Sequence, residues 1–466
     1  MMKLAVPIKW SLAVAALAGL IAAGVAFSGD RFPGLPVDDT AFALVGGRIY
    51  DPAGDSVIED AVVLVRGRTI DAVGRDVAVP QGARILNVGG LTLLPGYIDS
   101  HVHLSAIPTA PDGSRRLGWF RYMLRFSRSF PQRRHDLIEA GVTSVKSLGD
   151  PYPWIVDLAA ATGRHELAGP RIFAGSPVFT APGGHPVAAL RRAGQGDTSY
   201  LAQVARQVTD PAEVEAAVRE IGGHVDFITA VLETRADPEL PRLSAPLLRA
   251  LGESAHAAGL DLLAHVGTID DVRLALSTGC DGIEHTPYDE VIDPATLLQL
   301  RRAGAVVDPT LVATEERLAA AGAGARARDR ARSNVVRMRT TGIPIVVGSD
   351  APNLSAPFGV ALHEEMRRLA HLGFTPRELI QAATWRAAEH LGVGDRLGTI
   401  AAGKWADIVA VAGDPLTNID AAADIYLVIA DGQPLVDRLQ HFRRPGSVFA
   451  LRRPRPRASR RAGSGS

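Results

Sequence analysis

Residues 41–88 alternate short apolar runs with turn residues: AFALVGGRIYD, AVVLVRGRTIDAVG and ARILNVGG are each bounded by Gly or Asp. That spacing predicts a small antiparallel sheet. The same texture returns near the other end, in WADIVAVAGDP and IYLVIADGQPLVD. Two such fragments can pair into one small β-sandwich domain, built from residues 41–90 and 405–440, with everything between them as an insertion. The insertion, residues 91–404, has a different rhythm. Eight strand-like runs, LTLLPGYIDSHVH, TSVKSLG, RIFAGSP, DFITAVLE, LLAHVGT, GIEHT, AVVDPTLVA and IPIVVGSD, alternate with segments such as PAEVEAAVREIGG and PLLRALGESAHAAG. The apolar residues of those segments recur at helical spacing. Repeated βα units predict an α/β fold with a parallel sheet, and eight of them predict a closed (β/α)8 TIM barrel.

The two ends stand apart. Lys3 and Lys9 precede an apolar, charge-free run over residues 10–27, and small residues at Gly24 and Ala26 suit cleavage before Phe27. The run also approaches the roughly 17–25 residues that span a bilayer. Residues 1–28 are therefore expected to be a cleaved signal peptide or an uncleaved membrane anchor. Either sends the body across the inner membrane, to the periplasm or to the outer face of that membrane. Residues 443–466 are rich in Arg, Pro, Gly and Ser and are expected to form a disordered basic tail.

Composition narrows the function. Of 466 residues, 47% are apolar and 21% charged, ordinary for a globular protein with a large core. A formal net charge of +0 gives no electrostatic case for a nucleic-acid partner. The single Cys280 excludes an intramolecular disulfide and any CxxC metal site.

Polar residues gather where the strand-like runs end. His101 and His103 close the first, His265 lies in the fifth, His285 in the sixth, and Asp350 ends the eighth. Catalytic groups of a parallel barrel sit at these C-terminal ends. The i, i+2 spacing turns His101 and His103 to one side of their strand, into the lumen, with Val102 and Leu104 packing outward. With His265 and Asp350 they make a first shell for a divalent metal, zinc or else manganese, iron or cobalt.

The segments IDSHVHL, LLAHVGT, IEHT and VGSDAP resemble the metal-binding segments of the amidohydrolase superfamily. So do the flanking LTLLPGYIDSHVHL and AATWRAAEHLGVGDRLGTIAAGKWADIVAV. The likeness runs from about Ala41 to Asp437. GPRIFAGSPVFTAPGGHP, with Gly183-Gly184-His185 at its centre, is most similar to the branch of imidazolonepropionase-like enzymes and Xaa-Pro dipeptidases. The resemblance implies a barrel with a sandwich, a divalent metal cofactor, a small-molecule substrate, and homo-oligomers as in relatives. It also implies a substrate-binding role for His185.

One departure changes the expected metal count. Aligned on the dipeptidase pattern, Thr229 stands where relatives carry a carboxylated bridging lysine, so a single ion is favoured. Glu233 is the alternative carboxylate that would recruit a second. With one ion, His285 is expected to bond the bound water or the substrate; otherwise it is a further ligand. Lys146 falls where many relatives carry arginine, and is read as an ion-pair partner of Asp150.

Asp350 is expected to act as base and then acid, with His285 stabilising the developing oxyanion. The resulting expectation is hydrolysis of a C–N bond in an amide, dipeptide-like or N-acyl amino acid substrate. The alternatives are hydrolysis or deamination of a cyclic amidine or imidazolone, and a non-catalytic binding barrel.

Overall fold

The computed structural model describes residues 41–106, 119–192, 198–234, 240–352 and 356–442, and for residues 119–128 the backbone alone. The segments expected at 1–28 and 443–466 lie outside these residues. Among the described residues, no helix is long and apolar enough to cross a membrane.

The chain opens with β1 (Phe42–Asp51), β2 (Ser56–Arg66), β3 (Thr69–Gly74), β4 (Arg84–Asn87) and β5 (Thr92–Pro95). It then enters a run of parallel strands. These are β6 (Tyr97–Val102), β7 (Val142–Ser147), β8 (Arg171–Ala174), β9 (Val178–Thr180), β10 (Ala205–Gln207), β11 (Ile228–Val231), β12 (Leu262–His265), β13 (Gly282–Glu284) and β14 (Val306–Asp308). It closes with β15 (Ile408–Val411), β16 (Ile425–Ala430) and β17 (Gln433–Asp437).

Hydrogen bonds join β6–β7–β8 and, separately, β10–β9–β11–β12–β13–β14. Single parallel bridges span the gaps: Gly175 with Phe227, Val307 with Ile345, and Val102 with Ala351. Helices intervene as their sequences direct. In Pro211–Ile221, Asp210 caps the first turn through the N–H groups of Ala212 and Glu213, and Val214, Ala217, Val218 and Ile221 are buried. The fold is TIM-barrel-like α/β.

The first and last strands meet in one eight-stranded sheet, ordered β17–β16–β15–β5–β1–β2–β3 with β4 on β1. Alternation along β15 and β16 is nearly all apolar. Ile408, Ala410, Leu427 and Ile429 enter the sheet's own core, whereas Val409, Val411, Val428 and Ala430 pack into the larger core that holds the barrel strands.

Three expectations change. The run LTLLPGYIDSHVH is two strands, not one. Thr92–Pro95 pairs with β1 and β15, and the chain crosses into the barrel at Gly96, where a Cβ would run into the side chain of Thr143. AVVDPTLVA is a strand only over Val306–Asp308 and turns helical at Leu311–Ala320. Thr310 reverses the backbone at φ 39°, and Glu365 accepts the N–H groups of Leu311 and Val312 at 2.7 and 2.8 Å, which caps that helix from a distant segment. IPIVVGSD forms one bridge, Ile345 with Val307, and no ladder, and Gly348 passes so close to His101 and Asp308 that a side chain there would collide with both.

Candidate metal centre

His101 is the penultimate residue of β6 and is completely buried. Its Nδ1 lies 2.7 Å from Glu284 Oε2, and the other oxygen of that carboxylate lies 2.5 Å from Lys146 Nζ. Among the described residues its Nε2 has no hydrogen-bond partner, and it sits 3.7 Å from Asp350 Oδ1. His103 Nδ1 donates to the carbonyl of Leu148 at 2.5 Å, leaving Nε2 to face Asp350 Oδ1 at 3.0 Å.

From the other side of the lumen, His265 ends β12 and His285 follows β13. His285 Nε2 lies 3.1 Å from His265 Nδ1, and His285 Nδ1 lies 2.6 Å from Thr310 Oγ1. His265 Nε2, like that of His101, has no partner among the described residues. The rings of His103, His265 and His285 all lie within 5.3 Å of the His101 ring, centre to centre.

A buried nitrogen without a partner costs about 1–3 kcal/mol. One of the two, on His101, faces the Asp350 carboxylate, and the other belongs to a neighbouring imidazole, a donor set suited to a cation. Ligand atoms of His101, His265 and His285 lie within 4.8 Å of one another, as do those of His101, His103 and Asp350. These residues fit a divalent metal.

The backbone contributes to this convergence. His285, Thr310 and Asp350 adopt φ values of 72°, 39° and 54°, a left-handed region that costs side-chain-bearing residues about 1–3 kcal/mol. The turn at His285 also breaks strand alternation, so that Glu284 and His285 both reach the interior.

Charges are arranged to keep His101, His265 and His285 neutral and the Asp350 carboxylate ionised. Burial holds His265 down at about 3, with neighbouring His101 adding to it, and burial with the Arg317 guanidinium holds His285 well below its ordinary value. At His101 burial lowers the pKa and outweighs the pull of Glu284. At His103 burial is outweighed by the hydrogen bond and charge of Asp350 together with Asp150 and the Leu148 carbonyl, and the pKa rises. Burial raises Asp350, but Arg317 and His103 outweigh it and hold the carboxyl well below the usual range. Neutral imidazole and ionised carboxylate are the forms that bind metal.

The remaining candidates divide. Thr229 is fully buried and engaged with Ser176, its N–H donating to Ser176 Oγ at 3.0 Å, and it offers no carboxylate. Glu233 is in none of the ligand clusters; it approaches Tyr288 Oη at 3.5 Å instead. His185 is buried on the loop after β9 and is not among the clustered ligand atoms either. The expected Lys146–Asp150 pair does not form. Asp150 accepts the N–H groups of Leu104 and Ser105 at 2.8 and 2.7 Å, because it follows the turn after β7, and Lys146 points inward to Glu284.

Sequence reasoning missed Glu284, Asp308 and Arg317. Glu284 stands beside His285 in GIEHT, and a carboxylate next to a candidate ligand was the available signal. Arg317 gave none. It lies on the helix Leu311–Ala320 and bonds Asp350 Oδ2 at 2.6 Å.

The amidohydrolase family profile matches residues 92–435, well over half of the chain. The chain belongs to the amidohydrolase family. Members usually bind a divalent metal, and the His and Asp groups above could hold one. An uncharacterized protein of Mycobacterium tuberculosis is 29% identical over 251 residues, which cover 50% of this chain and 65% of that protein. This chain thus spans about two thirds of its mycobacterial relative. The imidazolonepropionase of Thermoplasma acidophilum is 24% identical over 405 residues, covering 83% of this chain and 91% of that enzyme. A prolidase solved with N-methylphosphonate-L-proline superposes with a TM-score of 0.70 at 25% identity, covering 85% of this amidohydrolase-family chain and 100% of the prolidase.

Proposed function

We propose that this chain hydrolyses the amide C–N bond of a dipeptide-like or N-acyl amino acid substrate at a site holding one divalent cation, zinc foremost. The observation that carries this reading is that two ligand clusters meet at His101, one with His265 and His285 and one with His103 and Asp350, and that two of these buried imidazole nitrogens lack a partner among the described residues. Family membership supports hydrolysis of a C–N bond, and the prolidase likeness supports an amide.

His101, His103 and His265 would hold the ion through imidazole nitrogens and Asp350 through one carboxylate oxygen. When bound, the ion supplies a Lewis acid and lowers the pKa of a water it holds from 15.7 to about 7. Asp350 takes the proton of the attacking water on its second oxygen and passes it to the leaving nitrogen. Arg317 keeps that carboxylate ionised between turnovers. His285, held by Thr310, donates to the substrate carbonyl oxygen as negative charge builds there. His185 contacts the substrate beyond the scissile bond.

A second reading, hydrolysis of a cyclic amidine or imidazolone, is favoured by Thr229, which removes the bridging ligand of a two-ion site, and by the likeness to an imidazolonepropionase. A substrate panel separates the two. Release of a free amine from N-acyl amino acids or dipeptides supports the first, and ammonia or a ring-opened acid from cyclic amidines supports the second. No turnover of either class by metal-loaded protein contradicts both.

Residues 1–28 export the body as a signal or an anchor, and residues 41–90 with 405–440 form a sandwich domain beside the barrel of 91–404. Cell fractionation with and without residues 1–28 tests the export.

A further inference from the structure

Lys146 has no part in the reaction above, yet its surroundings point at the metal centre. Its side chain is completely buried on β7, with Nζ 2.5 Å from Glu284 Oε1 and 6.0 Å from the centre of the Phe227 ring. Glu284, also buried, directs its other oxygen to His101 Nδ1 at 2.7 Å. Asp308 belongs to the same cluster, its carboxylate within 4.8 Å of the ligand atoms of His101 and Glu284, with one oxygen unpartnered. The line Lys146–Glu284–His101 therefore ends on an imidazole whose remaining nitrogen faces Asp350.

A buried ion pair is weak evidence of stabilisation, since apolar residues of similar volume often serve as well or better. This one is directional. A carboxylate on one imidazole nitrogen fixes the tautomer and ring orientation and makes the other nitrogen a stronger donor.

We infer that Lys146 and Glu284 form a positioning relay for the cation site. Glu284 accepts the Nδ1–H of His101, which leaves Nε2 as the ligand nitrogen. Lys146 holds Glu284 in place from behind, where Asp308 would otherwise crowd it. Neither residue touches substrate. This inference rests on His101 being a ligand, as proposed above.

The test uses the full chain and Zn²⁺ alone, competed against a chelator, with the visible spectrum of the Co²⁺-loaded protein as a second readout. Lys146→Met is expected to raise the Zn²⁺ dissociation constant about 10–100-fold, the usual cost of losing such a partner, and to shift the cobalt bands. That variant leaves Glu284 buried without its cation and can fail to fold. Lys146→Met/Glu284→Gln removes both charges together, so its affinity loss and band shift carry the test.

Lys146→Arg supplies the rescue. A cavity of about 120 Å³ beside Lys146, lined also by Asp226, Asp261 and His390, gives room for a guanidinium, and affinity should return to within about 3-fold of the parent. A folded double variant that binds Zn²⁺ as tightly as the parent, with unchanged cobalt bands, overturns the relay alone. So does a folded Lys146→Arg no tighter than Lys146→Met. A parent chain that takes up neither ion overturns the relay and the metal-centre reading together.

Discussion

The composite sheet and the mouth of the barrel use the same strand alternation and fill it in opposite ways. In β15 and β16 the residues of both faces are apolar and enter one of two cores. At the ends of β6, β12 and β13 the buried residues are His101, His265, Glu284 and His285, and two of their nitrogens have no partner among the described residues. Burial stabilises the first arrangement, at roughly 25 cal/mol per Å² of apolar surface. It opposes the second, because polar groups have left water without full replacement of their hydrogen bonds. Sheet and core hold the molecule together, and the mouth is held in an unfavourable state that a bound cation would relieve.

The largest expected effect is at the mouth. Asp350→Asn should lower turnover about 10²–10⁴-fold, the usual worth of a positioned acid–base group, while some metal stays bound. Steady-state kinetics on the metal-loaded variant measure it, and full activity would remove the proton-transfer role. Next comes a paired contrast. Leu427→Ala, in the core of the composite sheet, should cost about 2–5 kcal/mol in denaturant unfolding and leave metal content unchanged. His101→Ala should abolish metal uptake. If Leu427→Ala lost metal and His101→Ala kept it, the division between the two regions would fail.

A smaller effect concerns pH. Burial holds the His363 imidazole at about 4, and its ring nitrogen lies 2.9 Å from the carbonyl of Ala140. Its folded-state pKa is below the unfolded value near 6.5, so the unfolded chain binds the proton more readily. The stability it contributes is complete above pH 6.5 and is lost as pH falls towards 4, to a total of about 3 kcal/mol. His363→Gln should flatten the acid limb of unfolding midpoints measured from pH 7 to 4.5. An unchanged limb would contradict that origin.

The sequence showed the parts of this architecture that depend on local spacing. Alternation exposed the strands of the composite sheet, and the i, i+2 pair at His101 and His103 pointed to the candidate metal centre because both residues lie at the end of β6. What stayed hidden depends on distant segments. Lys146 meets Glu284 across 138 residues, so its partner was misread as the nearby Asp150. The helix at Leu311 begins where it does because Glu365, 54 residues onward, caps it, and the β-branched Val306, Val307 and Val312 gave no sign of that. Arg317 rides on that same helix, so its approach to Asp350 was equally invisible. The break at Gly96 needed knowledge of Thr143 on the neighbouring strand.

The most direct test of the central claim is metal content per chain, by elemental analysis of the purified protein after reconstitution and removal of free ion. About one divalent ion per chain, absent from His101→Ala, is the expected result. No ion in the parent chain, or full occupancy in His101→Ala, would contradict the assignment of His101, His103, His265 and Asp350 as its ligands.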